Sequence, residues 1–332
     1  MTSSPLISVA LCTCNGARFI EEQIDSILAQ TFPVAELVVH DDASDDDTVA
    51  RACAVWERWH ALDPGRVPVM RVVSHRERRG VALNFQGALD DCNGEWLVLC
   101  DQDDRWHPKR MALLMSRLGA RPSIRLLHGN ARLIDADGHP LPHTLFEALG
   151  VSDAERSAIQ QGRAIDVLLS RNLVTGAATI LHRSLWEIAR PVPARWLHDE
   201  WIGMVAAVRS GIDMEVRELF DYRQHGGNQV GAHRPSWVEE FRRAFESRGG
   251  WHLLQLERAM ALQVRLPSLM ADPPAALVAA VNAKVAHHRA RVDYPRHRAI
   301  RWVPVLREWA TGRYARYGRG ARGLIKDIFE KR

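Results

Sequence analysis

Three acidic residues, Asp101, Asp103 and Asp104, lie within four positions directly after an apolar run. Residues 95–100 have the composition of a buried strand, so these acids are expected at its C-terminal end. Closely spaced carboxylates repel one another unless a cation lies among them, and oxygen ligands next to a phosphate suit Mg²⁺ or Mn²⁺. The spacing therefore indicates a metal-and-diphosphate site. The alternative is a turn that places Asp104 or His107 at the start of the following helix.

A second acidic segment begins at Asp41 and Asp42, after the apolar residues 36–40. The later acids of this segment, at 45–47, suit the N-terminus of a helix. Asp41 and Asp42 are then left at the strand end, where they can accept hydrogen bonds from ribose hydroxyls or from the N–H of a pyrimidine base. The alternative is a local turn closed by the aspartate side chain.

Short apolar segments alternate with segments of helical periodicity in the first third of the chain. The predicted strands are 7–12, 36–40, 69–74 and 95–100. Helical spacing of apolar residues separates them, for example at Phe19, Ile20, Ile24, Ile27 and Leu28. The alternation predicts an α/β fold with right-handed βαβ units and a parallel sheet, whose ligand crevice lies at the carboxyl ends of the strands.

The order and spacing of four motifs extend this interpretation. They are Thr13-Cys-Asn-Gly16, Asp41-Asp-Ala-Ser-Asp-Asp-Asp-Thr48, Gly80-Val-Ala-Leu-Asn84 and Asp101-Gln-Asp-Asp-Arg-Trp106. Together they resemble a family 2 glycosyltransferase of the GT-A fold, strongly over residues 6–134 and more weakly to about residue 231. The resemblance implies a Rossmann-like, mainly parallel central sheet flanked by helices.

The resemblance also implies roles for the residues of these motifs. The nucleoside of a nucleotide-sugar donor would contact Thr13, Asp41 and Asp42. In the fourth motif, Asp101 would face the ribose or the sugar. Asp103 would ligate the Mg²⁺ or Mn²⁺ ion that bridges the two phosphates, with Asp104 as the alternative ligand.

A candidate base lies in the second half of the chain, at Asp199 in the segment 196–201. The family carries a similar His-Asp-x-Trp segment, whose aspartate would take the proton of the acceptor hydroxyl. Glu200 is the reserve candidate, and a plain helix N-cap is the alternative role for Asp199. Thr175 and Gly176 are expected near the acceptor sugar.

A glycine-rich segment, residues 220–231, resembles the loop that closes over the donor phosphates in bacterial sugar transferases of this family. The resemblance implies that Arg223 neutralises phosphate charge and that His225 ligates the metal. Histidine is a less usual ligand than carboxylate for such ions. The alternative for His225 is a solvated side chain in a flexible loop.

The implied activity is transfer of one sugar, with inversion, from a nucleoside-diphosphate-sugar donor to a saccharide or lipid-linked saccharide acceptor. A dTDP- or UDP-sugar is favoured, and bacterial polysaccharide or O-antigen biosynthesis is the expected role. Two alternatives stay open: a sugar-phosphate nucleotidyltransferase, and a catalytically silent scaffold that binds nucleotide sugars.

The composition fits a cytoplasmic enzyme with one catalytic domain, 1–233, and a basic helical extension, 234–332. The 332 residues hold five cysteines, an odd number without paired metal-binding spacing, so neither a disulfide framework nor a zinc site is expected. No signal peptide or long apolar run is apparent.

The extension concentrates the positive charge of the chain. From Lys284 to Arg332 there are 14 Lys or Arg and 4 Asp or Glu, interleaved with aromatic residues. A solvated helical face and peripheral contact with an anionic membrane at the inner face of the cell are both open interpretations. Nucleic-acid binding, which would use the same charges, is the least favoured.

Overall fold

The computed structural model describes residues 6–226 and 250–330 of the chain. It divides into two compact units. The first comprises residues 1–164, 173–192 and 197–233, and the second comprises 165–172, 193–196 and 234–332. The sequence predicted a single boundary after residue 233. The second unit also includes two short earlier segments, 165–172 and 193–196.

A nine-stranded mixed sheet forms the centre of the first unit. Its strands are β1 (Ile7–Thr13), β2 (Glu36–Asp41), β3 (Val69–Ser74), β4 (Trp96–Cys100), β5 (Arg105–Trp106), β6 (Leu126–Ile134), β7 (Pro140–Thr144), β8 (Thr179–His182) and β9 (Ile212–Arg223). The order across the sheet is β3-β2-β1-β4-β8-β6-β9-β5, and β7 pairs with β6 outside this path.

The four predicted strands form the parallel half of the sheet. β1 pairs in parallel with β2 and with β4, and β2 pairs in parallel with β3. Leu11, Val38 and Val98, in the middle of three of these strands, are all fully buried. Burial on both faces explains why these segments are continuous apolar runs and do not alternate with polar residues. The predicted α/β fold is confirmed.

The other half of the sheet contains the antiparallel pairs. β8 lies between β4 and β6 and is antiparallel to both, while β6 and β9 are parallel. The short strand β5 pairs antiparallel with β9. The described sheet is therefore mixed, because chain segments that follow the acidic motifs insert strands in the opposite direction.

Helices lie between these strands along the chain, and the first of them begin close to the predicted segments. They are α1 (Ile20–Leu28), α2 (Thr48–Leu62), α3 (Val81–Asp91), α4 (Arg110–Ala120), α5 (Leu145–Ala148), α6 (Asp153–Gln160), α7 (Ala164–Leu168), α8 (Arg183–Ala189) and α9 (His198–Val208). At the start of α2, the side chain of Asp46 accepts the Thr48 N–H at 3.0 Å. The N-cap residue is Asp47, whose side chain makes no capping hydrogen bond, so Asp46 supports the first turn of α2 from one position before the N-cap.

The described part of the second unit is helical. Its longer helices are α10 (Trp251–Leu269), α11 (Ala275–Val292), α12 (Arg298–Ala310), α13 (Arg313–Tyr317) and α14 (Gly320–Phe329). Pro267 and Pro304 lie inside α10 and α12. Over residues 6–226 and 250–330, no helix combines the length and the apolar character needed to span a membrane.

Gly94 lies in the turn before β4, where the backbone closely approaches the start of β1. A Cβ at this position would lie 2.6 Å from the Ser8 backbone nitrogen and 2.9 Å from the Leu6 carbonyl oxygen. We expect Gly94→Ala to lower the free energy of unfolding by about 1–3 kcal/mol, because backbone atoms must move apart. Thermal and urea unfolding measure this.

The matched control is Gly119→Ala in α4, where an added Cβ meets no atom within 4 Å. Its free energy of unfolding should stay unchanged or rise by up to about 1 kcal/mol, because alanine favours a helix. Equal unfolding midpoints for the two variants would show that β1 and the turn do not approach this closely.

Candidate active site

Buried carboxylates gather where β4 ends. Asp103 and Asp104 are 7% and 1% exposed, although carboxylates normally lie in water. Burial, together with the charges of Asp103 and Asp199, raises the pKa of Asp101 to about 8. Burial, followed by Asp103 and Asp101, raises the pKa of Asp104 well above its usual range. A positive charge among these groups would relieve both effects.

Asp103 and His225 offer two ligand types that a divalent cation accepts. Asp103 Oδ2 lies 2.7 Å from His225 Nε2, so a carboxylate and an imidazole nitrogen meet directly. Asp104 Oδ1 accepts the Arg223 N–H at 3.0 Å, whereas its Oδ2 is buried without a hydrogen-bond partner among the described residues. Carboxylate and imidazole groups suit Mg²⁺ or Mn²⁺, although among the described residues Asp104 does not form a cluster of three close ligand atoms with the other two.

The alternative role for this motif, a helix cap, is wrong. α4 begins at Arg110 with Lys109 at the N-cap position, and no side chain makes a capping hydrogen bond there. Asp104 instead bonds to Arg223 in β9, and His107 Nε2 lies 3.0 Å from Asp221 Oδ1.

Arg223 supports the loop that carries His225. Its side chain is almost fully buried, and its Nε donates to the Asp103 carbonyl oxygen at 2.8 Å. Its guanidinium also pairs with Glu22 and lies 4.9 Å from the centre of the Phe19 ring. These contacts are all with protein groups. A contact between Arg223 and the donor phosphates stays a prediction. Residues 227–231 of the same loop lie outside the described part of the chain.

The predicted nucleoside contacts come together at the neighbouring strand ends. Thr13 Oγ1 donates to Asp41 Oδ1 at 2.7 Å, and Asp41 Oδ2 accepts the Ser44 N–H at 2.9 Å. The alternative interpretation, a local turn, is therefore also present. A carboxylate has about four acceptor positions, so Asp41 retains capacity for a ligand N–H or hydroxyl.

Asp42 joins this strand end to the start of α3. Its two carboxylate oxygens accept the backbone N–H groups of Arg79 at 2.6 Å and Gly80 at 2.9 Å. Gly80 has a φ of +84°, a conformation that glycine adopts without strain. This explains the glycine of the third motif, because the chain must turn sharply there to offer both N–H groups to one carboxylate.

Two residues near the acids were not identified from the sequence. Gln102 Oε1 accepts the Cys14 N–H at 2.8 Å and its Nε2 donates to the Cys14 carbonyl oxygen at 3.1 Å, which links the ends of β1 and β4. Arg110 is fully buried between the rings of Trp106 and Phe220, at 4.1 and 4.5 Å from their centres.

Burial lowers the pKa of Arg110 to about 10, while the charge of Asp104 acts to raise it. Arg110 is therefore a buried cation close to the carboxylates. A single arginine in an amphipathic helix gives no signal of this position in the sequence.

Asp199 lies in the first turn of α9 and close to the other acids. Its Oδ2 accepts the Gly176 N–H at 2.9 Å and its Oδ1 accepts the Glu200 N–H at 2.8 Å. The N-cap of this helix is Leu197, so the alternative capping role for Asp199 is wrong. The charge of Asp199 acts to raise the pKa of Asp101, so the two carboxylates lie close enough to interact electrostatically.

The segments beside Asp199 are tightly packed. His198 stacks on Phe85 with 4.0 Å between ring centres, and burial lowers its pKa to about 3, so it is neutral. A Cβ on Gly176 would lie 3.2 Å from His198 Nε2 and 3.5 Å from Asp199 Oδ2. Glycine at this position therefore lets the backbone approach the carboxylate. Thr175 directly precedes it, and its contact with an acceptor stays a prediction.

Comparison with known proteins identifies the domain that carries this site. Residues 8–127 match the family model described as glycosyl transferase family 2. An uncharacterized protein of Mycobacterium tuberculosis is 27% identical over 225 residues, which cover 66% of this chain and 59% of that protein. TuaG of Bacillus subtilis, provisionally named a teichuronic acid biosynthesis glycosyltransferase, is 27% identical over 157 residues, covering 47% of this chain and 59% of TuaG.

This chain thus spans about 59% of the length of these relatives. A solved structure of TarS 1–349 from S. aureus in complex with UDP has a TM-score of 0.53 and 15% identity, covering 97% of this chain and 89% of the TarS chain. That similarity places the fold in the GT-A class of glycosyltransferases. Residues 8–127 match glycosyl transferase family 2, and the relatives include a named glycosyltransferase, so the resemblance seen in the motifs of this segment is confirmed.

The crowded acids predict a pH dependence of stability in the metal-free protein. The pKa of Asp101 is about 8 in the folded chain and about 4 when unfolded, so the native state binds more protons between these values. The free energy of unfolding should therefore fall as the pH rises from about 4 to about 8. Urea unfolding in chelator at several pH values measures this slope.

Asp101→Asn should reduce that slope, because one of the titrating groups is lost. Asp137→Asn, which changes an exposed aspartate, is the control and should retain the parental slope. Identical slopes for the parent and Asp101→Asn would contradict the raised pKa.

Proposed function

We propose that this protein transfers one sugar from a nucleoside-diphosphate-sugar donor to a hydroxyl group of a saccharide or lipid-linked saccharide, with inversion at the anomeric carbon. The observation that carries the proposal is the group of buried carboxylates at the end of β4, where Asp103 contacts His225, in a segment that matches glycosyl transferase family 2. A candidate base beside carboxylates suited to a metal brings proton acceptance and phosphate binding into one crevice.

The donor would bind at the ends of the parallel strands. Asp103 and His225 would hold a divalent cation, Mg²⁺ or Mn²⁺, with Asp104 as the reserve ligand and Asp101 beside the ribose or sugar. Such a cation supplies stabilisation of the negative charge that develops on the departing diphosphate. Arg110 would add a fixed positive charge beneath the acids.

The nucleoside would lie against Thr13, Asp41 and Asp42. The internal hydrogen bonds of the two aspartates fix their orientation before a ligand arrives, which reduces the entropy lost on binding. Remaining carboxylate lone pairs are available to a base N–H or to ribose hydroxyls. The UDP bound to TarS supports a uridine nucleotide as the first donor to test, with dTDP as the second.

Asp199 would accept the proton of the acceptor hydroxyl. The N–H groups of Gly176 and Glu200 donate to its two oxygens, and such bonds favour the ionised carboxylate that a base requires. The oxygen of the acceptor then attacks the anomeric carbon as the nucleotide leaves from the opposite face. A single displacement of this kind inverts the configuration.

The biological setting proposed is assembly of a bacterial surface polysaccharide. The similarity to TuaG, whose name refers to teichuronic acid biosynthesis, supports this class of acceptor. A saccharide polymer or its lipid-linked precursor offers the hydroxyl that Asp199 would deprotonate.

Asp103→Asn tests the donor site by thermal shift. The parent should gain several degrees of unfolding midpoint with UDP or dTDP in the presence of Mn²⁺ or Mg²⁺, because a ligand at about 100 times its Kd adds about 2.7 kcal/mol to the native state. The variant should lose this gain, and chelator should abolish it in the parent. GDP and CDP complete the screen.

Asp104→Asn distinguishes the main ligand from the reserve, because only loss of a true metal ligand should remove the metal dependence. Exposed Asp137→Asn serves as the control for charge alone. If no nucleotide shifts the parent with any metal, the metal-dependent donor site is refuted.

Asp199→Asn tests the base by comparing turnover with binding. With donor and acceptor present, kcat should fall by about 10²–10⁴-fold, the usual contribution of a general base, while the nucleotide-induced thermal shift should persist. The matched variant Glu200→Gln should retain most of its kcat.

The reverse pattern in these two variants would assign the base to Glu200. Nucleotide binding without any turnover of the parent would favour a silent scaffold, and release of diphosphate from a nucleoside triphosphate would favour a nucleotidyltransferase.

A further inference from the structure

Helix α12 in the second unit is amphipathic, but its charged side faces inward. Its buried residues are Arg301, Val305 and Glu308. Arg301 is 0% exposed and Glu308 is 4% exposed, although such side chains are almost never fully buried without partners. The inward face of this helix is therefore largely polar.

Strong hydrogen bonds fix this orientation. Arg301 donates to the carbonyl oxygens of Asp327 and Glu330, at 2.9 and 2.8 Å, and to that of Pro295 at 2.8 Å. Glu308 lies 2.7 Å from His287 Nδ1. Rotating α12 to bury its apolar side would leave these buried groups without partners, at a cost of several kcal/mol for each ionised group.

As a consequence, the apolar side of α12 faces outward. Its exposed apolar residues are Ile300 (61%), Trp302 (46%), Val303 (55%), Leu306 (50%) and Trp309 (40%). Residues 302, 306 and 309 are spaced by four and three, so they share one face of the helix. Ile325 and Phe329 of α14, 51% and 37% exposed, extend the area, since the rings of Phe329 and Trp302 are 6.2 Å apart. These seven residues are termed the α12 surface.

The charges around the α12 surface are basic. Of the four acids between Lys284 and Arg332, Glu308, Asp327 and Glu330 are buried. Each of these three pairs with a basic side chain, namely Arg313, Arg291 and His252 respectively. Glu308 and Asp327 are thus paired with arginines inside the unit, Glu330 contacts His252, and exposed arginines remain on the helix that carries the surface, at Arg298 and Arg307.

We propose that the α12 surface rests on an anionic lipid bilayer, with α12 parallel to the membrane plane. Tryptophan and phenylalanine rings suit the boundary between headgroups and acyl chains, and the arginines suit lipid phosphates. A second copy of this chain is a poorer occupant, because two identical faces with the same positive charges repel each other. The inference is independent of the proposed transfer reaction.

Co-sedimentation of the full chain with vesicles tests the inference. Vesicles of phosphatidylglycerol and phosphatidylcholine in equal parts should bind the protein, whereas vesicles of phosphatidylcholine alone should bind it weakly. Added salt should weaken binding to the anionic vesicles, because it screens the arginines. Arg307→Gln should weaken it about fivefold, the effect of about 1 kcal/mol for each basic residue near a lipid surface.

The double variant Trp302→Ser/Leu306→Ser should weaken binding by tenfold or more, on the order of the loss expected for two apolar side chains. The control is Leu253→Ser/Val264→Ser in α10, which removes residues that are 50% and 76% exposed. It should bind as the parent does. All four positions are exposed, so circular dichroism and unfolding midpoints should be unchanged.

Two outcomes would overturn the inference. One is equal vesicle binding by the parent and the Trp302→Ser/Leu306→Ser variant, or no binding by either. The other is a parent protein that is a dimer by light scattering and does not bind anionic vesicles, together with a Trp302→Ser/Leu306→Ser variant that is a monomer. That result would assign the α12 surface to a second copy of the chain.

Discussion

Repulsion between crowded carboxylates is the constraint on which the first unit depends. Asp103 and Asp104 are buried, and Asp101 and Asp199, which comes from a distant part of the sequence, are partly buried. The fold tolerates them because backbone N–H groups, an imidazole and the buried Arg110 surround them. The cost of holding negative charges together is the reason that the site can attract a cation, since the same repulsion disappears when positive charge is added.

Buried charge also organises the second unit, with a different result. There the ions are fully paired, as in Arg291 with Asp327, whose nitrogen and oxygen atoms lie 2.6 and 2.9 Å apart. Tyr314 donates to the same carboxylate at 2.6 Å. Such a network contributes little net stability compared with apolar packing. It is favourable only when its distances and angles are close to ideal, so it restricts how the helices can be oriented. Its effect is to decide which side of a helix faces out, so polar interior contacts determine the character of the surface.

Local sequence patterns predicted the features that short-range interactions determine, above all the strands. The four parallel strands were predicted to within one residue at each end, because apolar runs that end in polar turns reflect burial directly. The spacing of Asp101, Asp103 and Asp104 indicated acids at the end of β4, whereas Asp199 was proposed only from the family resemblance. The ion pair between Arg223 and Glu22 was not predicted, because the two residues are 201 positions apart in the sequence. For the same reason nothing in the sequence indicated that Arg110 lies behind Asp104, or that the acids of the C-terminal helices are hidden.

The pairing between β4 and β8 has a consequence for how the site is aligned. Three residue pairs, at positions 96–98 and 180–182, join the strand that precedes Asp101 to the strand that follows Gly176. A shift of one residue in this pairing would turn every side chain of β8 to the opposite face of the sheet. Gly176 donates its N–H to Asp199, so the register of two short strands also fixes the placement of that contact relative to the end of β4.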